Sequence, residues 1–382
     1  MVYHQNKLIM SLVLNEEQKM LKTSAKEFLD NKFPLSKFRK YRDNDFKSLD
    51  FELWNEMSEM GWTALIIPEK YNGLNFGYVG LGQIIEEMGK RLTVCPIMST
   101  VLISTSIISL SKNEYLKSKF FPRIMNGSAL ICLAHEEGNQ HHPENIQTSL
   151  DKENGNLILN GKKNFVIDAN ISDYLIVSAK DVSSSNTILA LVEKNQKGVL
   201  VDNKTLMDSR SYSEIIFKNV EIKNDYLLSN TNDGKNILEK VFDIARIGYS
   251  AEMLGGIQQA FDMTMSYLKT REQFGVKIGS FQSLQHRSAL MFAEIELCKS
   301  IVLKALQSID AVDELSKNAS LAKAKLGLTY KLVSNEAIQM HGGIGVTDDS
   351  DVGFFLKRSR VIDKAFGDSN FHLDRLSKLS GY

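Results

Sequence analysis

Two glycine-punctuated segments carry residue types that could bind a phosphorylated, planar ligand. The first runs from Arg271 to Gln282 (REQFGVKIGSFQ) and the second from Gln339 to Gly345 (QMHGGIG). A guanidinium beside a turn that glycine permits can bind a phosphate through two hydrogen bonds, and an aromatic ring next to it can stack on a flat heterocycle. In the second segment the glycines let the backbone approach a ligand, while Gln339 and His341 offer hydrogen bonds to its edge. Each segment also fits a plain turn between helices.

Long helices must position both segments. After Gly234 the sequence predicts helices over 235–270, 282–310, 315–340 and 350–380, interrupted by glycines at 275–279 and 342–345. Neither segment is a GxGxxG motif that follows a strand, and the sequence contains no GxxxxGK[ST] motif. A Rossmann site and a Walker-type nucleotide site are therefore not predicted.

The sequence divides into three predicted domains, which are N-terminal helical (10–125), central β (126–232) and C-terminal helical (233–382). In the first, apolar residues recur at helical spacing from Leu14 to Leu29, and Asn15 is a candidate N-cap. Further helices are predicted over 79–92 and 97–111. In the second, Asn160-Gly161 predicts a hairpin turn. Strands are predicted on both sides of that turn and at Tyr174–Ala179, Thr187–Val192 and Ser213–Phe217.

Composition excludes several classes of protein. The 382 residues are 43% hydrophobic and 24% charged, which is typical of a globular chain. The 46 basic and 46 acidic residues cancel, so no global basic field is available for nucleic acid or an anionic membrane. No membrane span, secretory leader or cysteine-based metal motif is recognised, and a cytoplasmic protein is expected. We interpret His141-His142-Pro143-Glu144 as a polar loop rather than a metal site.

Taken together, the two segments resemble the flavin-binding signatures of the acyl-CoA dehydrogenase family. The pattern R-x-x-F-G-x-x-I-G-x-F-Q matches 271–282, and Q-x-H-G-G-x-G matches 339–345. The resemblance covers about 10–380. It implies an α+β chain with the acyl-CoA dehydrogenase fold, consisting of an N-terminal helical domain, a central β-barrel-like domain and a C-terminal four-helix bundle.

The resemblance also implies FAD bound at a subunit interface, and therefore an oligomer, with a dimer of dimers expected. Arg271 would hold the pyrophosphate of a neighbouring chain's FAD, and Phe274 would pack on its adenine side. The remaining residues that the resemblance assigns to the cofactor are Gln282, Gln339, His341, Gly342, Gly343, Asp368 and Asn370.

The family reaction is α,β-desaturation of an acyl-CoA, in which a glutamate removes the α-proton and the flavin accepts the β-hydride. Here the two family positions for that base hold Ala245 and Phe366, neither of which accepts a proton. Weak substitutes are Glu252 and Asp368, although a buried ion pair and a helix N-cap are the competing interpretations. Glu136 is a third candidate, with a surface loop as its alternative.

The flavin-facing loops of the β domain also depart from the family pattern. His135-Glu136-Glu137 stands where the family has T-E-P, and Ile167 stands where it has a threonine. The segments that would bind a neighbouring chain's FAD therefore match the family, while the loops that would face this chain's own flavin do not. This asymmetry suggests a subunit of a heteromeric enzyme. The ending Phe366–His372 (FGDSNFH) resembles a FadE-type bacterial branch that includes small subunits of pimeloyl-CoA dehydrogenase.

Several functions stay open at this point. The chain could be a homomeric dehydrogenase with an unusual base, or one active only beside a base-bearing paralogous subunit. It could be a non-catalytic FAD-clamping partner in a heterotetramer, or a flavin-dependent monooxygenase or oxidase on the same fold. An electron-transfer flavoprotein is a candidate electron acceptor. The basic run Lys357–Arg360 is interpreted as a solvated face, with contact to a CoA phosphate or a partner as the alternative.

Overall fold

The computed structural model describes residues 12–44, 49–153, 155–229, 233–311 and 313–382. The predicted boundaries at 10 and 232, and most of the segment inspected for a leader, lie outside these ranges. The N-terminal part is helical, and Asn15 caps its first helix as predicted: its side chain accepts from the Gln18 amide at 2.8 Å. Its helices are α1 (Glu16–Lys32), α2 (Leu35–Asp43), α3 (Phe51–Glu59), α4 (Tyr78–Arg91), the π-helical segment Ile97–Ser104, α5 (Thr105–Leu110) and α6 (Glu114–Met125).

The middle of the chain forms a sheet with the order β1-β4-β2-β3-β7-β6, and β5 pairs with the other edge of β4. β1 and β2 run parallel to β4, and the remaining pairs are antiparallel. The strands are β1 (Ile131–Ala134), β2 (Ser149–Glu153), β3 (Asn156–Ile167), β4 (Tyr174–Asp181), β5 (Thr187–Glu193), β6 (Val199–Thr205) and β7 (Ser211–Ile222).

The predicted hairpin turn at Asn160-Gly161 is wrong. Both residues lie inside β3, where the pairing with β7 shifts register between Leu159 and Gly161. The real hairpin joins β2 to β3, because Glu153 pairs with Asn156 and Gly155 between them has φ +89°. A glycine within a strand often marks such an irregularity, and here that interpretation outweighs the turn signal of the Asn-Gly pair.

The C-terminal part is helical, with a short two-stranded hairpin after its first helix. The predicted helix over 350–380 is wrong as one element, because it breaks at 365–368, where Phe366 (φ +54°) and Gly367 (φ +99°) are left-handed. The elements are α7 (Gly234–Thr270), β8 (Glu272–Gln273), β9 (Val276–Lys277), α8 (Gln282–Ala311), α9 (Leu315–His341), α10 (Val352–Lys364) and α11 (Ser369–Leu379).

Two helices that border the candidate site approach each other unusually closely. A Cβ atom built on Gly89 of α4 would lie 2.1 Å from the Glu252 carbonyl oxygen of α7. One built on Gly255 of α7 would lie 1.9 Å from the Glu86 carbonyl oxygen of α4. Glycine therefore sets the spacing of this helix pair. In the described ranges, no helix combines the length and the apolar character needed to cross a bilayer.

Candidate functional site

The two glycine-punctuated segments meet at one end of the C-terminal helices. Arg271 follows the last residue of α7, and Gln282 begins α8 after the β8–β9 hairpin. Gln339 lies in the last turn of α9. The rings of Tyr267 and His341 stack with their centroids 4.5 Å apart, which ties the end of α7 to the end of α9. We call the surface formed by 271–282 and 339–345 the clamp surface.

Most of the clamp surface faces outward. Phe274 is 92% exposed and has φ +55°, next to Gly275 at φ +77°. His341 differs, because it is buried and its Nδ1 lies 2.7 Å from the Ala337 carbonyl oxygen. His341 therefore lies behind the clamp surface and supports it. The same burial lowers the pKa of His341. On the clamp surface, the exposed residues assigned to the cofactor are Arg271, Phe274, Gln282, Gln339, Gly342 and Gly343.

The two positions that the family gives to its base are closed by packing. Ala245 is fully buried in α7. Phe366 lies in the turn between α10 and α11, with its ring centroid 5.6 Å from that of Phe242 and 5.7 Å from that of Tyr249. The carbonyl oxygen of Phe366 lies 3.1 Å from Nε of Arg246, which donates to it. The backbone of this turn is therefore held in place, but the Phe366 side chain can only pack against its neighbours.

A buried ammonium group holds the same turn from the other side. Lys323 of α9 is fully buried, and its Nζ donates to the carbonyl oxygens of Ile362, Asp363 and Gly367 at 2.7–3.1 Å. Burial lowers the pKa of Lys323 to about 7. Two of these bonds satisfy carbonyl groups at the end of α10, and the third satisfies one in the turn that follows it.

Glu252, a weak candidate for the base, is neutralised by two arginines. Its Oε1 accepts from Nε and Nη2 of Arg358 at 3.0 and 2.8 Å, and lies 3.0 Å from Nη2 of Arg210. Burial alone would raise the pKa of Glu252, but the two guanidinium groups outweigh it and hold the pKa below its usual value. Arg358 also binds Asp208 at 2.8 Å. The interpretation of Lys357–Arg360 as a solvated face is wrong for Arg358, which is buried.

Asp368, the other weak candidate, caps α11. Its Oδ1 accepts from the Phe371 amide at 3.0 Å, and its Oδ2 accepts from Lys364 at 2.6 Å. The Lys364 ammonium and the Phe371 amide lower the pKa of Asp368. Asn370, two residues further on, is exposed. The side chain of Asp368 is thus committed to local bonds.

The loop that the resemblance places beside the flavin is bonded to itself and to the sheet. His135 Nδ1 lies 2.9 Å from Ser178 Oγ, and Glu137 accepts from the buried Lys163 at 2.7 Å. Glu136 pairs with Nδ1 of His141. The polar-loop interpretation is wrong for the side chain of His141, which is 6% exposed. Its ring packs 5.2–6.3 Å from three phenylalanine rings, those of Phe242, Phe366 and Phe371.

Sequence reasoning missed the residues that surround Glu252 and Phe366. Arg210 lies in the loop between β6 and β7, and Thr93 follows α4, so neither is near Glu252 in the sequence. The available signal was indirect: a glutamate inside an apolar run must find a cation if it is buried. Nothing in the sequence identified His141 as a buried ring.

The clamp surface has the chemistry that the adenosine and pyrophosphate half of FAD requires. Arg271 is an exposed cation, Gln339 offers an amide, and Phe274 offers an open ring face. A Cβ atom added to Gly342 or Gly343 would meet no atom of the described residues within 4 Å, so a ligand can approach the backbone there. The residues present therefore fit that half of the cofactor.

Comparisons with known proteins match most of the chain, from residue 15 to residue 380. Three family descriptions match it in order: "Acyl-CoA dehydrogenase, N-terminal domain" over 15–128, "Acyl-CoA dehydrogenase, middle domain" over 132–220, and "Acyl-CoA dehydrogenase, C-terminal domain" over 232–380. The mitochondrial isovaleryl-CoA dehydrogenase of Pongo abelii is 27% identical over 367 residues, which are 93% of this chain and 86% of that relative.

Solved structures share the fold. Butyryl-CoA dehydrogenase from Megasphaera elsdenii is 24% identical with a TM-score of 0.89, and the match covers 97% of this chain and 100% of that one. A chain of the ChsE4-ChsE5 complex from Mycobacterium tuberculosis is 20% identical with a TM-score of 0.87, and the match covers 98% and 100%. At these identities the structures establish the architecture alone, which is the predicted one.

Proposed function

The chain belongs to the acyl-CoA dehydrogenase family, and from that premise we propose that it is the FAD-clamping subunit of a heteromeric acyl-CoA dehydrogenase. In this proposal the chain holds the adenosine end of a dinucleotide whose flavin end lies in another subunit. FAD, when bound, supplies the hydride acceptor for α,β-desaturation of an acyl-CoA thioester. The proton-accepting carboxylate comes from the partner chain.

The observation that carries the proposal is that none of the positions suggested by the sequence holds a suitable base. Ala245 and Phe366 cannot accept a proton, and the substitutes suggested by the sequence are bonded elsewhere. Glu252 faces two guanidinium groups, and Asp368 caps a helix. A general base needs a pKa near the working pH and an open lone pair. A carboxylate whose pKa is lowered by bonded cations fails the first requirement.

The clamp surface supports the other half of the proposal. Arg271 and Phe274 point away from their own chain, so a dinucleotide bound there would be shared with a neighbour. The ChsE4-ChsE5 structure is a complex of two differently named proteins, at least one of which has this fold. A two-chain assembly on this scaffold therefore has a precedent.

The test is flavin stoichiometry in the native assembly. A tagged chain purified from its own host should bring down a homologous chain that carries a glutamate at one of the two family positions. Arg271→Ala should reduce bound FAD per chain at least about tenfold, because a charge-assisted phosphate contact is lost. Arg287→Ala is the matched control, because Arg287 pairs with Glu336 on α8 and α9.

Two results would end the proposal. The first is a wild-type amount of bound FAD per chain in both Arg271→Ala and Arg287→Ala. The second is a homomeric preparation that desaturates an acyl-CoA without any second chain. In that case the base would be within this chain, and the assignment of its acidic residues to structural bonds would be wrong.

A further inference from the structure

The two halves of the clamp surface come from different helices. Residues 271–282 follow α7, whereas 339–345 comprise the end of α9 and the turn after it. Among the described residues, no hydrogen bond or ion pair joins one half to the other. The separation of the two halves therefore depends on how the ends of α7 and α9 pack against each other.

The helices α7 and α9 lie side by side and run in the same direction. Near the start of α9, Ser316 Oγ donates to Oδ2 of Asp243 in α7 at 2.6 Å. Further along both helices, a Cβ atom built on Gly256 would lie 2.3 Å from the hydroxyl oxygen of Tyr330. These contacts advance together along the two helices, so both helices end at the clamp surface.

Near the clamp surface the two helices are joined by a ring stack. The centroids of the Tyr267 and His341 rings are 4.5 Å apart, and the ring planes are inclined by 21°. Nδ1 of His341 lies 2.7 Å from the Ala337 carbonyl oxygen, which can only accept, so Nδ1 carries a proton and donates it. The His341 ring is thus fixed by its own helix and presents one face to Tyr267. Stacked rings keep a narrow range of separations.

Each ring is tied closely to one half of the clamp surface. The Arg271 amide donates to the Tyr267 carbonyl oxygen at 2.9 Å, and the Arg271 carbonyl oxygen accepts from the Ile278 amide at 2.9 Å. On the other side, a Cβ atom built on Gly345 would lie 2.9 Å from Cβ of His341, so the glycine turn folds back on that residue. A displacement of one ring against the other would therefore move Arg271 relative to the glycine turn.

We propose that Tyr267 is a positioning residue for FAD. Its stack on His341 sets the distance between the Arg271 guanidinium and the glycine turn, so that both contact one dinucleotide. A ligand that spans two contact points binds tightly only when both can be engaged at once. The inference rests on the proposed function in taking FAD as the ligand, and it adds a residue that sets the geometry of the clamp surface.

The experiment is a double-substitution cycle that measures FAD affinity. The native assembly, freed of flavin, is titrated with FAD, and binding is followed by the change in flavin fluorescence. Tyr267→Leu keeps an apolar side chain but removes the flat ring, and it should weaken FAD binding at least about fivefold. In an Arg271→Ala background the same substitution should weaken binding less than about twofold, because no guanidinium is left to position.

Three further variants make the cycle specific to the ring. Tyr267→Phe keeps the ring without its hydroxyl and should bind FAD within about twofold of wild type. Tyr267→Met takes the place of the leucine variant if that variant does not assemble. Tyr71→Leu is the matched control, because the Tyr71 ring contacts that of Phe121 in the N-terminal helical part, with centroids 4.9 Å apart. This control should leave FAD affinity at its wild-type value.

Three results would overturn the inference while leaving the proposed function intact. The first is wild-type FAD affinity in Tyr267→Leu. The second is an equal loss of affinity with and without Arg271, which would make Tyr267 an ordinary packing residue. The third is a loss in Tyr267→Phe as large as that in Tyr267→Leu, which would make the hydroxyl the important group. Unchanged FAD affinity in Arg271→Ala alone would instead end the proposed function, and this inference with it.

Discussion

Replacing Glu252 by glutamine tests the central electrostatic claim, that this carboxylate is a structural anion rather than a base. In the folded chain one oxygen of Glu252 meets two guanidinium groups through three contacts of 2.8–3.0 Å. Glutamine keeps the shape of the side chain and one carbonyl oxygen but removes the charge. Arg358 would then keep only the carboxylate of Asp208, and Arg210 would lose its ion pair.

The expected loss of unfolding free energy follows from the contacts that glutamine keeps. Removing one partner of a buried ion pair typically costs about 3–5 kcal/mol of unfolding free energy, since the opposite charge is left uncompensated. Glutamine still accepts a hydrogen bond, so we expect the lower end, about 3 kcal/mol. Because the pKa of Glu252 is lowered in the folded state, its stabilising charge is present above the unfolded value of 4.5 and is lost as pH falls below it. Glu252→Gln should therefore show its full loss of unfolding free energy at pH 7.

Urea unfolding followed by circular dichroism at pH 7 and pH 4 measures this difference. Glu252→Gln should lower the midpoint clearly at pH 7, and the gap to wild type should narrow at pH 4. Glu144→Gln is the matched control, because the Glu144 side chain is 79% exposed and pairs with Lys235 on the surface. This substitution should change the unfolding midpoint little. If Glu252→Gln matches the control at pH 7, the ion cluster does not stabilise the fold and the argument against Glu252 as a base fails.

Two further predictions concern neighbouring packing and protonation. Gly255→Ala should destabilise the chain by about 2–3 kcal/mol in the same urea assay, since the new methyl group meets the backbone of α4. Gly353→Ala in α10 is the control, because its methyl group would meet no described residue within 4 Å. This control should be neutral or slightly stabilising. Burial lowers the pKa of His372 to about 2, so its neutral form is stable in the folded chain and stability is lost as pH falls below 6.5. At pH 5 the loss is about 2 kcal/mol. His372→Gln should therefore show a smaller drop in unfolding midpoint than wild type between pH 7.5 and 5, and an equal drop would contradict this.

The sequence predicted the parts of the fold that local signals control. Asn15 caps α1 where the helical pattern begins, and α8 starts at Gln282 as expected. Local signals failed where tertiary pairing overrides them. Gly161 lies inside a strand because β7 pairs along its length, and 365–368 interrupts a helical pattern because Phe366 and Gly367 adopt left-handed conformations.

The candidate site was less predictable, because its contacts join distant parts of the chain. Glu252 and Arg358 are 106 residues apart, and Arg358 and Asp208 are 150 apart. An apolar context predicts that Glu252 needs a cation, but many arginines and lysines could satisfy that need. His141 is similar, since a buried ring in a polar loop leaves no periodic pattern.

The framework around Phe366 bears on the proposal that the base comes from another chain. Two buried cations hold the segment that leads into this turn, with Arg358 bonded to α7 and Lys323 bonded to the carbonyl groups at 362–367. Arg246 donates to the carbonyl oxygen of Phe366 itself. Burying such charges is favourable only when each is fully bonded, so this network constrains the turn strongly. A turn held this firmly, with a phenylalanine at the position of the family's base, is consistent with the proposed role as a subunit whose partner supplies the base.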